Sequence, residues 1–290
     1  MAPEVLQDRA GDLTTLRAHS DKSASYEADV PELSTSPVVV GGQSGSLNVT
    51  IPVSGGPTAK DVDKTGLPVF DHRDGSRTVP IVKKDQSVQI VTILDQASAP
   101  ETYTYDLSKS GASAIEDVDG HLVLRNGNGE WMGGISPAWA KDAAGNEVPT
   151  RYIVDGLKLT QLVNHRSAST SYPVVADPWL GIDLFEYAGY GSYNGDLQVN
   201  LRKSAWGQSN HLPGAGQSIF WTAGWDEART KVPDIQSKET LHQQYDCHVG
   251  GGFGNLAGDW NLERFRPDRT ETWVNGVAFH RCNWTSSNLY

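Results

Sequence analysis

The sequence predicts a mainly β protein in two parts, an N-terminal β-sandwich-like domain followed by a small disulfide-tied α+β domain. Three observations lead there. From position 38 to 176, short β-branched and apolar runs recur between turn signals at intervals of about ten residues. Seven of the 9 tryptophans fall at or after Trp179. Both cysteines, Cys247 and Cys282, lie in that same C-terminal stretch. The divisions this suggests are a polar segment at 1–36, a β-rich carrier domain at 37–178 and a C-terminal domain at 179–290.

The opening segment is rich in Ala, Ser, Asp and Glu, with only short helical hints at 12–18. Strands are expected at 46–53, 78–83, 87–94, 102–107, 121–125, 131–135, 151–154 and 157–163. Val88-Gln89-Ile90-Val91-Thr92-Ile93 and Leu157-Lys158-Leu159-Thr160-Gln161-Leu162 show the period-two alternation of strands. Turns such as Asp119-Gly120, Asn126-Gly127-Asn128-Gly129 and Ala144-Gly145-Asn146 separate such runs, the pattern of an all-β sandwich. No motif recurs at a fixed period, which excludes a repeat array.

The stretch 167–178, SASTSYPVVADP, reads as the seam between domains. Beyond it a strand is expected at 195–201 and one helix at 219–232. In that helix Asp226 and Glu227 precede Arg229 and Lys231, the order the helix dipole prefers, and Pro233 stops it. Segments 241–249 and 270–283 read as extended. Segments 250–254 and 260–267 read as loops.

Charge and hydropathy exclude two classes. Lys+Arg is 24 against 35 Asp+Glu, a net charge of −11, which argues against capture of a nucleic-acid backbone. Most of that acidity precedes Trp179, where 15 basic residues face 23 acidic ones, against 9 and 12 afterwards. No run approaches the ~20 apolar residues of a membrane-spanning helix. Met1-Ala2-Pro3 leads into polar text with no export leader, leaving a cytosolic protein or a mature exported form with a new initiator as alternatives. The cysteines favour export. They are 35 apart with no CxxC, which fits a single bridge better than a zinc site, two buried free thiols being the alternative. Such a bridge would contribute ~4 kcal/mol and persist only in an oxidising compartment.

Several motifs of the C-terminal part stand in a recognisable order: Gly224-Trp225, Lys231-Val232-Pro233, Gln244-Tyr245-Asp246-Cys247-His248, the run from Trp260 to Pro267, and Cys282-Asn283. This set resembles the domain of unknown function 2599 of secreted bacterial proteins, over roughly residues 195–284. It departs from that pattern at Arg264, where a Pro is usual, and in the glycine run after Cys247-His248. Upstream, Thr102-Tyr103-Thr104-Tyr105-Asp106-Leu107, Val148-Pro149-Thr150-Arg151-Tyr152 and Tyr172-Pro173-Val174-Val175-Ala176-Asp177-Pro178 resemble the β-rich N-terminal module of exported actinobacterial proteins. In those proteins the module ends in a PVVADP-type tail before a variable C-terminal domain. The resemblance implies secretion and modularity, the layout of antagonistic effectors, and no particular activity.

The candidate chemistry centres on the cysteines. If 241–249 and 270–283 are bridged strands, Tyr245, Cys247 and Val249 share one face, while Asp246 and His248 take the other beside Arg281 and Asn283. That face suits an acid–base pair or an anion site, with a structural polar network as the alternative. Glu263 is a candidate acid or base and Arg266 an anion holder, unless the two pair to fix their loop. The candidates are therefore His248, Glu263 and Asp246 for catalysis, and Arg266, Arg281, Asn283, Trp260 and Trp273 for substrate binding. Trp221 and Trp225 are expected in the core, and Trp273 and Trp284 at the surface. His242 and His248 are too far apart on a strand to share an ion, so no metal is expected. The glycine run lacks the Lys-Ser/Thr of a phosphate loop and neither GxSxG nor HExxH occurs, so no cofactor is expected.

The sequence thus leads to an exported protein whose C-terminal domain acts on a bacterial surface or envelope component. An enzyme here would be a hydrolase of a phosphorylated or glycan envelope substrate. The competing reading is a non-catalytic binding module or inhibitor that contacts an extracellular protein or envelope component through Trp and Arg residues.

Overall fold

The computed structural model describes residues 26–53, 56–270, 277–278 and 280–286. The helical hints at 12–18 and Trp273 lie outside these residues. The protein is mainly β, with several antiparallel sheets and one disulfide, and the chain divides into two compact units after Ile182.

The first unit opens with a two-stranded sheet of β1 (Val38–Val40) and β2 (Leu47–Val49). A meander follows: β3 (Asp61–Val62), β4 (Pro68–Asp71), β5 (Ser76–Val82) and β6 (Val88–Leu94). Next come β7 (Thr102–Asp106), β8 (Ala114–Val118), β9 (His121–Arg125), β10 (Trp131–Ile135) and β11 (Trp139–Lys141). The unit ends with β12 (Thr150–Asp155), β13 (Lys158–Val163), β14 (Val174–Asp177) and β15 (Trp179–Gly181). The largest sheet runs β3-β4-β5-β6-β15-β10-β9-β8, with β14 pairing both β6 and β11, and a third sheet runs β12-β13-β7. Trp179 therefore sits in a strand hydrogen-bonded to β6, within the first unit.

Strand β6 shows why these residues form a sheet centre. Every one of its seven positions is buried. Val88, Ile90 and Leu94 enter a core shared with Leu47, Phe70, Tyr105 and Leu159, while Val91 and Ile93 pack on the opposite face with Val79, Ile81 and Val175. A strand apolar on both faces needs cover on both, and the surrounding strands supply it.

One buried acid interrupts this packing. Asp177, in β14, accepts a hydrogen bond from Gln89 Nε2 at Oδ2, while Oδ1 has no hydrogen-bond partner among the described residues. Burial pushes its carboxyl up to about 7, against the pull of Gln89 and Lys83. Between the unfolded value near 4 and pH 7, the folded state keeps a proton that the unfolded state has released. Stability therefore falls as pH rises through this window, by roughly 4 kcal/mol in total. Asp177→Asn should remove that loss, raising the melting temperature at pH 8 and leaving it nearly unchanged at pH 4. Calorimetry at the two pH values checks this, and a lower melting temperature at pH 8 would count against it.

The second unit combines one antiparallel sheet with short helices. The sheet is β16 (Phe185–Tyr193), β17 (Asp196–Lys203) and β18 (Trp260–Glu263), in that order. Between β17 and β18 lie α1 (Ala205–Asn210), α2 (Ala215–Ile219), a π-helical turn over Phe220–Gly224, α3 (Trp225–Lys231), a 3-10 turn at Pro233–Gln236 and α4 (Glu239–Gly251).

Local chemistry fixes these elements. Ser204 caps α1, its Oγ accepting from Gly207 N at 2.8 Å and donating to Asp183 O at 2.7 Å. Glu227 of α3 accepts from the backbone N–H groups of Leu184 and Phe185 at 2.7 and 3.0 Å, and Lys231 one turn later pairs with it at 2.6 Å. The start of β16 is thereby pinned to α3. The Phe220 carbonyl, which accepts from Trp225 N across the π turn, also accepts from Tyr245 Oη at 2.6 Å. Phe185, Phe220, Tyr245 and Trp260 form an aromatic core with ring separations of 5.5–6.3 Å.

Several sequence expectations are corrected here. Segment 241–249 is helical, because Leu241, Tyr245 and Val249 recur at the four-residue interval that keeps them on one buried face. Residues 277, 278 and 280 are helical too, against the extended reading of 270–283. The helix expected at 219–232 belongs to a longer helical run beginning at Ala215 and broken by the π turn. Trp260, placed in a loop, starts strand β18. Trp284, expected at the surface, is fully buried, whereas Trp225 is only half-buried and stacks on His242 at 4.0 Å.

Candidate functional site: a cleft beside the disulfide

The Cys247–Cys282 disulfide joins α4 to the segment around 277–284, with Cα atoms 5.6 Å apart. Cys247, Cys282 and Trp284 form a small buried cluster with Val277 packed against it. Gly251 permits this approach, since a Cβ there would meet Val277 Cγ1 at 2.7 Å. Arg281 and Cys282 both adopt positive φ, 48° and 66°, a conformation that costs L-residues about 1–2 kcal/mol each. The bridge and the Asn283 N to His280 O hydrogen bond of 2.8 Å hold the turn.

Between this turn, the end of α4 and β18 lies an open cleft of about 470 Å³. His248, Asp259, Asn261, Arg281 and Asn283 supply its side-chain polar groups, with Gly251, Gly252 and Leu256 completing the wall. Strand β18 is a sheet edge, and the ladder alternation decides which of its backbone groups face outward. Gln244 of α4 accepts from Glu263 N at 2.9 Å and donates to Glu263 O at 3.0 Å, covering the edge there. Two residues earlier, the Asn261 backbone points to the same edge, which no other strand pairs among the described residues.

His248 is held flat against Trp260, ring centroids 5.4 Å apart and planes 12° from parallel. Burial, then the fields of Lys203 and His211, push its imidazole down to about 4. At neutral pH the cleft therefore contains a neutral imidazole beside the Arg281 guanidinium and the Asp259 carboxylate.

Behind the cleft lies an arrangement that sequence reasoning missed. Lys203 of β17 is 2% exposed. Its ammonium donates to Gly252 O at 2.8 Å, to Gly254 O, and to His211 Nδ1 at 2.9 Å, and sits 5.2 Å from the Trp260 ring. His211 Nε2 in turn bonds Val249 O at 2.9 Å, so that nitrogen carries the proton and Nδ1 accepts. Val249 and Gly252 carry carbonyls at the end of α4, where a helix lacks internal donors and where cations are favoured. Lys203 and His211 thus close the C-terminus of α4 and fix the glycine loop. Burial lowers Lys203 to about 8 and His211 to about 4. The signal was present: Lys203 shares the buried parity of Val199 and Leu201 on β17.

The remaining predicted residues are placed elsewhere. Arg266 does not face the cleft. It is buried and pairs with Glu263, while donating to Trp284 O at 2.8 Å and Asn283 Oδ1 at 3.2 Å. The alternative reading, mutual pairing that fixes the loop, is the one observed. Glu263, also buried, lies outside the cleft lining. Asp246 does not share a face with His248, because the helix turns it toward His242 at 3.7 Å. Burial raises its carboxyl, partly offset by His242. Trp260 is fully buried under His248 and offers no open face for a sugar. His248, Arg281 and Asn283 do come together, with Asp259 and Asn261 as unforeseen neighbours.

Among the described residues no group of three His, Cys, Asp or Glu is arranged to hold a metal ion, and no helix is long and apolar enough to cross a membrane. No protein-family pattern, curated protein or solved structure matches the chain.

Proposed function

We propose that the protein works outside the cell, and that its C-terminal unit is a binding module for a bacterial surface or envelope component, engaged through the cleft at His248 and Arg281. The observation that carries this reading is the composition of the cleft. It gathers a guanidinium, a neutral imidazole, a carboxylate and two carboxamides, while Glu263 and Asp246, the carboxylates that acid–base catalysis would call on, are committed elsewhere. An imidazole lowered to about 4 is a hydrogen-bonding group at neutral pH and a weak proton acceptor. The disulfide supports export, since such bonds persist in oxidising compartments. In this reading the first unit is a sandwich-like carrier and the second its recognition end, an arrangement that also suits an antagonistic effector.

The test is sedimentation of the full chain with purified bacterial envelope fractions. Binding is expected, and Arg281→Gln should weaken it about tenfold, the effect of losing one charge-assisted contact of ~1.4 kcal/mol. Unchanged binding in that variant would remove the cleft from the account. Release of soluble fragments, abolished in His248→Gln, would turn the reading to the hydrolase.

A further inference from the structure

We infer that the outer face of the β16-β17-β18 sheet is a second binding surface, shaped for an extended, uncharged polysaccharide. This goes beyond the cleft, with which the face shares Asn261 alone among the residues named for both. The face is defined by register. Antiparallel partners share a side, so Tyr187 stands opposite Arg202, Gly189 opposite Asn200, and Gly191 opposite Gln198; Asn261 of β18 continues the Asn200 row. The apolar residues Val199, Leu201, Trp260 and Leu262 all point to the other side, into the core.

What remains outside is neither an ordinary solvated face nor an apolar one. Two glycines sit in mid-strand, where each weakens a sheet by about 1 kcal/mol relative to a residue with a side chain. The space they leave is used. A Cβ at Gly189 would meet Tyr187 Oη at 2.4 Å, so the phenol lies along the strand over that position. A Cβ at Gly191 would meet Asn200 Nδ2 at 2.7 Å and Gln198 Oε1 at 3.3 Å, so carboxamides rise into that gap. The Asn200 carboxamide has no hydrogen-bond partner among the described residues. Tyr187 is 43% exposed and Tyr193 is 53% exposed, the latter 5.8 Å from the Phe265 ring. The result is a face with the Asn200 and Gln198 carboxamides at its middle, Gln198 Nε2 also donating to Glu263 Oε1 at 3.5 Å, and an aromatic ring toward each end.

The two tyrosines are six residues apart on one strand, or ~20 Å, a span that accommodates several linked sugar rings. Aromatic faces attract the polarised C–H groups of a sugar ring, and carboxamides both donate to and accept from its hydroxyls. Charge favours a neutral occupant. Arg202 pairs with Glu186 at 2.6 Å, Arg264 with Asp196 at 2.6 Å, and Arg266 with Glu263, leaving the cations around the face matched to carboxylates. Among the described residues, an anionic polymer would have to compete with these carboxylates for each cation, whereas a neutral polyol loses nothing to the pairs.

The experiment is depletion of the full-length protein by insoluble chitin and by cellulose, two uncharged β-linked polysaccharides. Depletion by at least one is expected. Tyr187→Ala with Tyr193→Ala should weaken it at least tenfold, and Asn200→Ala alone several-fold. Tyr187→Phe keeps the ring and should retain binding, which separates loss of stacking from loss of fold. Arg281→Gln should bind polysaccharide as the parent does, so failure of the cleft reading and of this one are told apart. Absence of depletion by both polymers, or equal depletion by parent and double variant, would overturn the inference.

Discussion

Lys203→Ala should be among the most damaging single substitutions in the C-terminal unit, costing about 3 kcal/mol or more. The ammonium serves three acceptors at once: the Gly252 and Gly254 carbonyls and His211 Nδ1. Removing it leaves buried acceptors unmet, at about 1–3 kcal/mol each, together with a cavity under Trp260. Burying the charge has its own cost, which is why the amine is lowered to about 8. Lys203→Met, which fills the space and removes the charge, should therefore cost less than the alanine. The linkage gives a second readout. Between pH 8 and the unfolded value near 10.5, the unfolded chain holds a proton that the folded chain has released, so stability rises with pH, by up to roughly 3 kcal/mol. That rise should vanish in the methionine variant. Urea unfolding followed by tryptophan fluorescence measures both effects, and a neutral alanine variant would contradict the role assigned to Lys203.

Acid should loosen the same region well before most carboxylates are protonated. His211 and His248 are both lowered to about 4, chiefly by burial, so each binds a proton in the unfolded chain near pH 6.5 that it refuses in the folded one. With the unfolded state binding more protons throughout that window, stability is fully present above pH 6.5 and drains away as pH falls toward 4. The full shift corresponds to roughly 3 kcal/mol per imidazole, a large share of the 5–15 kcal/mol that holds a typical domain. The two rings feel one another's charge, so the sum is not simply additive. His72, His121 and His165 of the first unit are lowered in the same sense, so a residue-resolved measurement is required. Imidazole proton shifts in NMR should stay flat for His211 and His248 down to pH 5, followed by cooperative loss of the native signals. Titration of either ring near 6.5 would refute the burial argument.

Sequence pattern and structure agree where short-range signals suffice. Strands at 121–125 and 131–135 are found with the expected limits, and 87–94 differs by one residue, because alternation and flanking turns are properties of neighbouring positions. Segment 241–249 reads as extended because Tyr, Cys and Val lean toward strands, whereas the structure follows the helical interval from Leu241 to Tyr245 to Val249 within α4. Of the site, His248, Arg281 and Asn283 were legible through their proximity to the two cysteines. Lys203 shows in the sequence only as a position of buried parity beside Val199 and Leu201, since the carbonyls that explain its amine lie about fifty residues downstream. Arg266 and Glu263 were seen, but a spacing of three suits an ion pair as well as it suits a ligand site, and only burial separates the two.

The disulfide has a bearing on where the protein can be competent. Cys282 stands between Arg281 and Asn283, and its partner precedes His248, so one covalent bond holds three cleft residues from two distant stretches in place. Arg266 is a weaker clasp on the same turn, through Asn283 and the Trp284 carbonyl. Inside a reducing cytosol the turn would depend on non-covalent ties, that clasp, the Asn283 N to His280 O bond and the Trp284 Nε1 to Pro267 O bond, with two strained residues pulling against them. The cleft would then be complete only where the surroundings are oxidising enough to keep the bridge closed, so folding of the turn and formation of the bond are one event.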